Sequence, residues 1–305
     1  MAEREGEATP SPDGVLKTKG QMSNTVLPRN RAADLRDLKN RAEWIRLETI
    51  RLVEIAKSGH YSSVFSCAEM FSALYYHALR LDPSHPQWED RDRFLLGKGH
   101  AAIGQYPVLA DLGYFPKDWL DTYTRLGSAL GDHPDMNKVP GCDFSSGSIG
   151  HNLSVGVGIA LSAKLRGKDY LTWVMIGDGE LNEGQVWEAA QSAAQYKLGN
   201  LIGIVDANGM GLDGDIGDVM GIEPIADKFA AFGWSTDEID GHDMEAVVAA
   251  FDRAQHGDRP HMIVARTKKG KGVDFMEKGP YWHLGYLGPE DKAVAIAEIE
   301  RRIQQ

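Results

Sequence analysis

Two short apolar runs, LTWVMIG over 171–177 and LIGIVDA over 201–207, constrain this chain more than any other feature. Each is long enough for one buried strand and stops on polar, turn-forming residues, Asp178-Gly179 and Asn208-Gly209. Between them, Glu183 to Leu198 carries helical periodicity. Apolar runs bounded by turn residues and joined by a helix read as parallel strands of a strand-helix-strand crossover. The alternation continues through helical stretches at 225–232 and 244–255 to a further strand, HMIVART. Upstream, Leu35, Leu38, Ala42, Ile45, Leu52, Ile55 and Ala56 recur at helical spacing, and 66–81, 99–112 and 116–126 read as further helices. The expected fold is α/β, a parallel sheet covered by helices on both faces. Residues 1–30 are polar and without period, so they read as a flexible N-terminal arm before a single domain over 31–305.

In open α/β sheets, ligands gather at the C-terminal ends of the strands. Asp178 and Asn208 stand at two such ends, 30 positions apart, and one crossover brings both to the same sheet edge. A carboxylate and an amide oxygen are hard donors suited to Mg²⁺ or Ca²⁺. Gly177 and Gly179 allow close backbone approach to an anion, and a helix starting near Asn182 would aim its first N–H groups at it. A lone Gly-Asp-Gly is usually an ordinary turn. The second strand end at the matching separation gives the functional reading its weight.

Charge narrows the range of partners. With 44 acidic against 33 basic residues and a net charge of −11, the chain has no basic footprint for nucleic acid or an anionic membrane surface. It would hold a phosphorylated ligand through a metal, a helix terminus or local cations. The run Lys268-Lys269-Gly270-Lys271 reads as a short solvated turn near phosphates rather than a nucleic-acid patch. Cys67 and Cys142 lack metal-ligand spacing, and Cys67 reads as a small core residue. Small residues at Ser154, Gly156, Gly158 and Ala160 suggest a helix packed closely on a neighbour. There is no apolar run of about 18 residues and no signal-like N-terminal segment, so a cytoplasmic protein is expected.

The segment GDGELNEGQVWEAAQSAAQYKLGNLIGIVDANGMGLDG resembles the thiamine diphosphate motif of transketolases, which begins Gly-Asp-Gly and closes on Asn. DRFLLGKGHAA, LGDHPDMNKVPGCDFSSGSIGHNLSVGVGIA and RTKKGKGVDFMEKGPYWHLG resemble further segments of the same family in the same order, so the likeness runs from about residue 34 to 290. It implies the diphosphate-binding (PP-type) fold and thiamine diphosphate with Mg²⁺ or Ca²⁺ as cofactors. Asp178, Asn208 and the main-chain carbonyl of Met210 would ligate the metal. Gly179 and His100 would contact the diphosphate, with Asn208 also at the cofactor, while Gly147 and Ile149 would lie along the thiamine ring. His60, His133 and His283 would surround the reactive carbon and the donor's hydroxyls. Glu183 and Glu188 would join a carboxylate network linking active sites at the subunit contact. A single loop histidine is most often a surface residue. Here, however, all four fall inside matching segments.

Full-length transketolases also carry a pyrimidine-binding domain and a C-terminal domain, and no segment here matches either. The resemblance therefore implies a split enzyme, with the activating glutamate on a separate partner subunit in an α₂β₂ assembly. The implied reaction moves a two-carbon ketol unit from a ketose phosphate to an aldose. Gly59-His60-Tyr61 replaces the family's Gly-His-Pro, which leaves the donor open to branched or sulfonated sugars as well as pentose phosphates. The competing readings are a 1-deoxyxylulose phosphate synthase-like subunit, a 2-oxo acid dehydrogenase-like subunit and a non-catalytic assembly subunit.

Overall fold

The computed structural model describes residues 26–303 apart from 33 and 279–281. Five parallel strands form one sheet: β1 (Arg93–Leu96), β2 (Thr172–Gly177), β3 (Leu201–Ala207), β4 (Ser235–Asp240) and β5 (His261–Arg266), in the order β1-β2-β3-β5-β4. The two apolar runs are the neighbouring strands β2 and β3, in register Gly177 to Asp206.

Strand side chains alternate, so each central strand feeds two cores. Trp173 and Met175 of β2, with Ile202 and Ile204 of β3, face one buried cluster, shared with α1 (Leu35–Ala56), α2 (Tyr61–Phe65), α3 (Ala68–Ala73) and α4 (Ala102–Leu112). Val174, Ile176, Leu201 and Val205 face a second cluster, shared with α5 (His151–Leu165), α6 (Gly184–Gln195) and, beyond the short α7 (Ile216–Met220), α8 (Ile225–Ala231). α9 (Met244–Ala254) and α10 (Pro289–Ile303) belong to the first side. The sheet is thus covered on both faces.

Local chemistry explains several element ends. Asp34 caps α1 by accepting from the Arg36 amide at 2.9 Å. Within α1, Arg46 is fully buried and survives there because Glu69 of α3 takes its guanidinium with both oxygens at 2.7 Å. The helix expected over 66–81 is instead α3 followed by a π-helical turn at Leu74–Ala78. Residues 116–126 contain a 3-10 segment, Lys117–Thr122.

The small-residue stripe on α5 divides in two. A Cβ on Gly156 would fall 2.6 Å from Val174 of β2, whereas one on Gly158 would meet nothing within 4 Å. Gly156→Val is therefore expected to destabilise the fold by roughly 2 kcal/mol or more through overpacking. Gly158→Ala should be neutral or stabilise by up to about 1 kcal/mol through helix propensity. Urea midpoints of the two variants check this contrast.

Both cysteines are buried and free, and burial pushes the Cys67 thiol up to about 12, as a core residue requires. Most of the expected N-terminal arm, residues 1–25, lies outside the described residues. Residues 26–30 are tied to the domain: Leu27 pairs with Leu81, and Arg29 reaches the buried carboxylate of Asp92 at 2.8 Å. Among the described residues, no helix is long and apolar enough to cross a membrane.

Candidate active site

At the C-terminal edge of the sheet, the ends of β2 and β3 open into a cavity of about 340 Å³. Asp178, Gly179, Asn208 and Met210 line it together with His100, His283 and Ile149. The Asp178 carboxylate accepts from the amides of Gly179 at 2.9 Å and Gly209 at 2.6 Å, which ties the two strand ends together. Burial, then the nearby charge of Asp206, pushes its carboxyl up to about 6. Asn208 turns its amide oxygen to the Met210 amide at 3.1 Å and its NH₂ to Asp206 at 3.3 Å.

Under this edge lies a buried ion pair. Asp206 of β3 is fully buried and accepts from Lys98, Ser66 and Thr267. Burial alone would raise its carboxyl, but Lys98, with the Ser66 and Thr267 hydrogen bonds, outweighs burial and holds it below the usual carboxylate range. Lys98 also donates to the Ser63 carbonyl at 2.8 Å.

The four sequence-selected histidines come together although they arise from four separate loops. His60 lies 5.0 Å from His100, 6.5 Å from His133 and 5.4 Å from His283 between ring centroids, and His100 lies 5.2 Å from His283. Burial, followed by the Lys98 charge, keeps His100 well below its ordinary value. Burial and the Lys269 charge lower His283 to about 4. Asp132 stands between two of the rings, 3.4 Å from the Nδ1 atoms of both His60 and His133. The Nδ1 atom of His283 is buried without a hydrogen-bond partner, as expected of a group that faces a ligand.

The lowered His283 has a measurable consequence. Between about pH 4 and 6.5 the unfolded chain takes up a proton that the folded imidazole refuses. This group therefore removes stability as pH falls through that window and contributes nothing above it. In His283→Gln, the urea midpoint should fall less steeply below pH 6.5 than in the wild type. Parallel curves would contradict the shift.

Gly147-Ser148-Ile149-Gly150 runs beside this edge. Gly150 has φ of +85°, and its amide donates to Glu180 at 2.8 Å. Glu180 also accepts from the Gly177 amide at 3.2 Å, and burial pushes it up to about 7. Gly150→Ala would strain the backbone and drive a Cβ to 2.6 Å from that of Glu183. A loss of roughly 1–3 kcal/mol is expected, read as a lower melting temperature.

Some residues selected from the sequence stand apart from the cavity, and others lie differently than expected. Glu183, at the N-cap of α6, and Glu188 within it are exposed and do not line the cavity, which is compatible with the subunit contact expected of them. Gly147 is also outside the cavity lining, although the neighbouring Ile149 is part of it. A 3-10 turn, Gly179–Asn182, separates the strand end from α6, and the Gly177 and Gly179 amides are already taken by Glu180 and Asp178. The first N–H groups of α6 therefore begin one short turn beyond the strand end. Tyr61 is turned into the core, where its hydroxyl accepts from the Leu287 amide at 3.2 Å, so its ring does not line the cavity. Lys269 is buried rather than solvated and donates to the carbonyls of Gly211 at 2.7 Å and Met210 at 3.3 Å. Burial and then Lys98 lower its ammonium to about 8.

Lys98, Glu180, Asp206 and Asp132 were not singled out from sequence. Asp206 did leave a signal, since a carboxylate inside an otherwise apolar strand demands a buried partner.

Residues 38–298 match the family model described as transketolase, thiamine diphosphate binding domain. The chain belongs to that family. It is 38% identical over 269 residues to one of the subunits of the apulose-4-phosphate transketolase of Phocaeicola vulgatus, covering 88% of this chain and 95% of that protein. It is 39% identical over 266 residues to the SqwG subunit of the 6-deoxy-6-sulfo-D-fructose transketolase of Clostridium sp., covering 87% and 97%. Against the transketolase of Mus musculus the identity is 36%, and the match covers 88% of this chain but 43% of the mouse protein. The transketolase crystal structure from Campylobacter jejuni superposes with a TM-score of 0.82 at 29% identity, again over 88% of this chain and 43% of that one. In length and sequence the chain corresponds to the N-terminal, thiamine diphosphate-binding subunit of a two-subunit transketolase.

Proposed function

We propose that this chain and a separate partner subunit form a transketolase that moves a two-carbon ketol unit from a ketose phosphate, or a related sugar, to an aldose. The observation that carries this reading is the cluster of four histidines, of which His100 and His283 line the cavity that bears Asp178 and Asn208, with His60 packed against both and His133 beside His60. When bound, thiamine diphosphate supplies the carbon nucleophile and electron sink for breaking the donor's carbon–carbon bond.

The residues present fit a hard divalent cation, Mg²⁺ or Ca²⁺. The donors are all oxygen: the Asp178 carboxylate, the Asn208 amide and the Met210 carbonyl. Asp178 resists ionisation because it is buried and, second, because Asp206 lies near, and a cation would offset both. Lys98 and Lys269 add positive charge at the same edge, which lets an acidic chain hold a diphosphate. Gly179 offers the close backbone approach, and Ile149 an apolar surface for a ring. His100, kept neutral by burial, would donate a hydrogen bond to the diphosphate, and the neutral His283 would face the donor's hydroxyls. His60 and His133 offer two further imidazoles, with Asp132 between them.

The partner would bring the pyrimidine-binding and C-terminal domains, in an α₂β₂ cytoplasmic assembly. Glu183 and Glu188, exposed on this chain, would lie at the subunit contact. The two bacterial relatives are named for different sugars, apulose 4-phosphate and 6-deoxy-6-sulfo-D-fructose. A donor panel should therefore include branched and sulfonated ketoses beside pentose phosphates. The reconstituted pair is expected to pass a two-carbon unit from one of these donors to an aldose. Decarboxylation of a 2-oxo acid without such transfer would reject the assignment.

A further inference from the structure

The turn that follows β4 carries His242, a residue outside the cavity that the reaction described above does not use. We propose that His242 is a positioning residue, which holds the loop after β5 so that Lys269 reaches the edge formed by Met210 and Gly211.

The ring is nearly buried, with its side chain 11% exposed. The Lys268 amide donates to its Nε2 at 2.9 Å, so that nitrogen must be an acceptor. The proton of the neutral imidazole then sits on Nδ1, which lies 3.3 Å from Glu69 Oε2 and donates to it. Glu69 is held by Arg46 at 2.7 Å. Burial opposes its charge, but Arg46 and His242 outweigh burial and lower the carboxyl to about 2. The acceptor for Nδ1–H is therefore a permanent carboxylate, and the tautomer is fixed.

The chain of contacts runs from α1 through α3 to His242 and then to the backbone next to Lys269. Two other main-chain bonds hold this loop: the Thr267 amide donates to Ala207 O at 3.2 Å and the Gly270 amide to Ser62 O at 3.2 Å. The His242 bond anchors the amide between them. Lys269 is 4% exposed, and its ammonium satisfies itself on two carbonyls of the 210–211 turn. A buried cation with so few partners depends on the backbone that carries it.

The functional importance of this arrangement rests on the reading of the 208–211 edge as the cofactor site, but the arrangement itself is testable without cofactor. In the full-length chain, reductive methylation of the Lys269 amine, read by mass spectrometry, should be about tenfold faster in His242→Leu than in the wild type, as loss of one such bond implies. The affinity for thiamine diphosphate with Mg²⁺, measured with the partner subunit present, should fall by a similar factor. His242→Gln can accept from Lys268 and donate to Glu69, so both readouts should return to near wild-type values. An unchanged Lys269 rate and affinity in His242→Leu, or equal damage in His242→Gln, would overturn the proposal. If His242→Leu fails to fold, ¹⁵N NMR of the wild-type imidazole still decides: the Nδ1–H tautomer supports the role and the Nε2–H tautomer contradicts it. A wild-type protein that binds no thiamine diphosphate would reject the cofactor reading, while the methylation and NMR results would still judge His242.

Discussion

Asp178→Ala is expected to abolish metal-dependent retention of thiamine diphosphate while leaving the chain folded. The carboxylate is the sole formal negative charge among the three proposed metal donors, and it stands at the end of β2 facing Asn208 across the strand gap. Removing one partner of a buried, hydrogen-bonded charge pair costs about 2–5 kcal/mol of binding, a factor of roughly 30 to several thousand. The apo fold should change much less. Two amides, of Gly179 and Gly209, lose their acceptor, but a carboxyl whose ionisation is disfavoured is also removed. Asp178→Asn separates charge from shape, since it keeps one oxygen for these amides. It should melt close to the wild type and still fail to hold the metal. Equal cofactor affinity in either variant would place the metal elsewhere.

Lys98→Met should have the largest effect on stability. Asp206 is fully buried, and Lys98 is its only cationic partner among the described residues. Without Lys98, Ser66, Thr267 and Asn208 still donate hydrogen bonds to the carboxylate, but its charge is unmatched. Breaking a buried pair from one side costs about 3–5 kcal/mol. In a domain of this size that lowers the melting temperature by roughly 6–20 °C. The double variant Lys98→Met/Asp206→Leu should recover much of the loss, because an apolar pair of similar volume leaves no stranded charge. Calorimetry on the three proteins checks this, and a double variant no better than the single one would contradict it. Cofactor binding should not recover in the double variant, since Lys98 also lines the cavity.

The central crossover was legible because β2 and β3 are buried on both faces, so their sequences are continuous apolar runs. The edge strands were not. β4, STDEID, is a polar, acidic strand at one edge of the sheet, and β1 at the other edge has only four residues. Neither shows the apolar run that marks a central strand. The helical content of 66–78 was legible, but its break into α3 and a π-helical turn depends on tertiary packing rather than on periodicity.

At the site, the strand ends and the four histidines were readable as residues, the histidines through their family resemblance. The charges that tune them were harder to find. Lys269 belongs to a basic run that looks solvated, yet the loop folds inward and buries it. Tyr61 occupies a position that suggested a change at the donor side, yet its ring belongs to the core. Both errors share one cause: side-chain direction in an irregular segment is set by contacts distant in sequence, here Met210 for Lys269 and Leu287 for Tyr61. Glu183 and Glu188 show the converse, because both are exposed and the subunit contact proposed for them would leave no mark in a single chain.

Everything proposed for this edge depends on one point, that the chain carries the diphosphate half of a thiamine diphosphate site. Isothermal titration of thiamine diphosphate into the chain mixed with its partner subunit, with Mg²⁺ and with the metal chelated, decides it. Saturable binding that requires the metal and is lost in Asp178→Ala is the expected result. Absence of binding, or binding that is indifferent to both metal and Asp178, would contradict it.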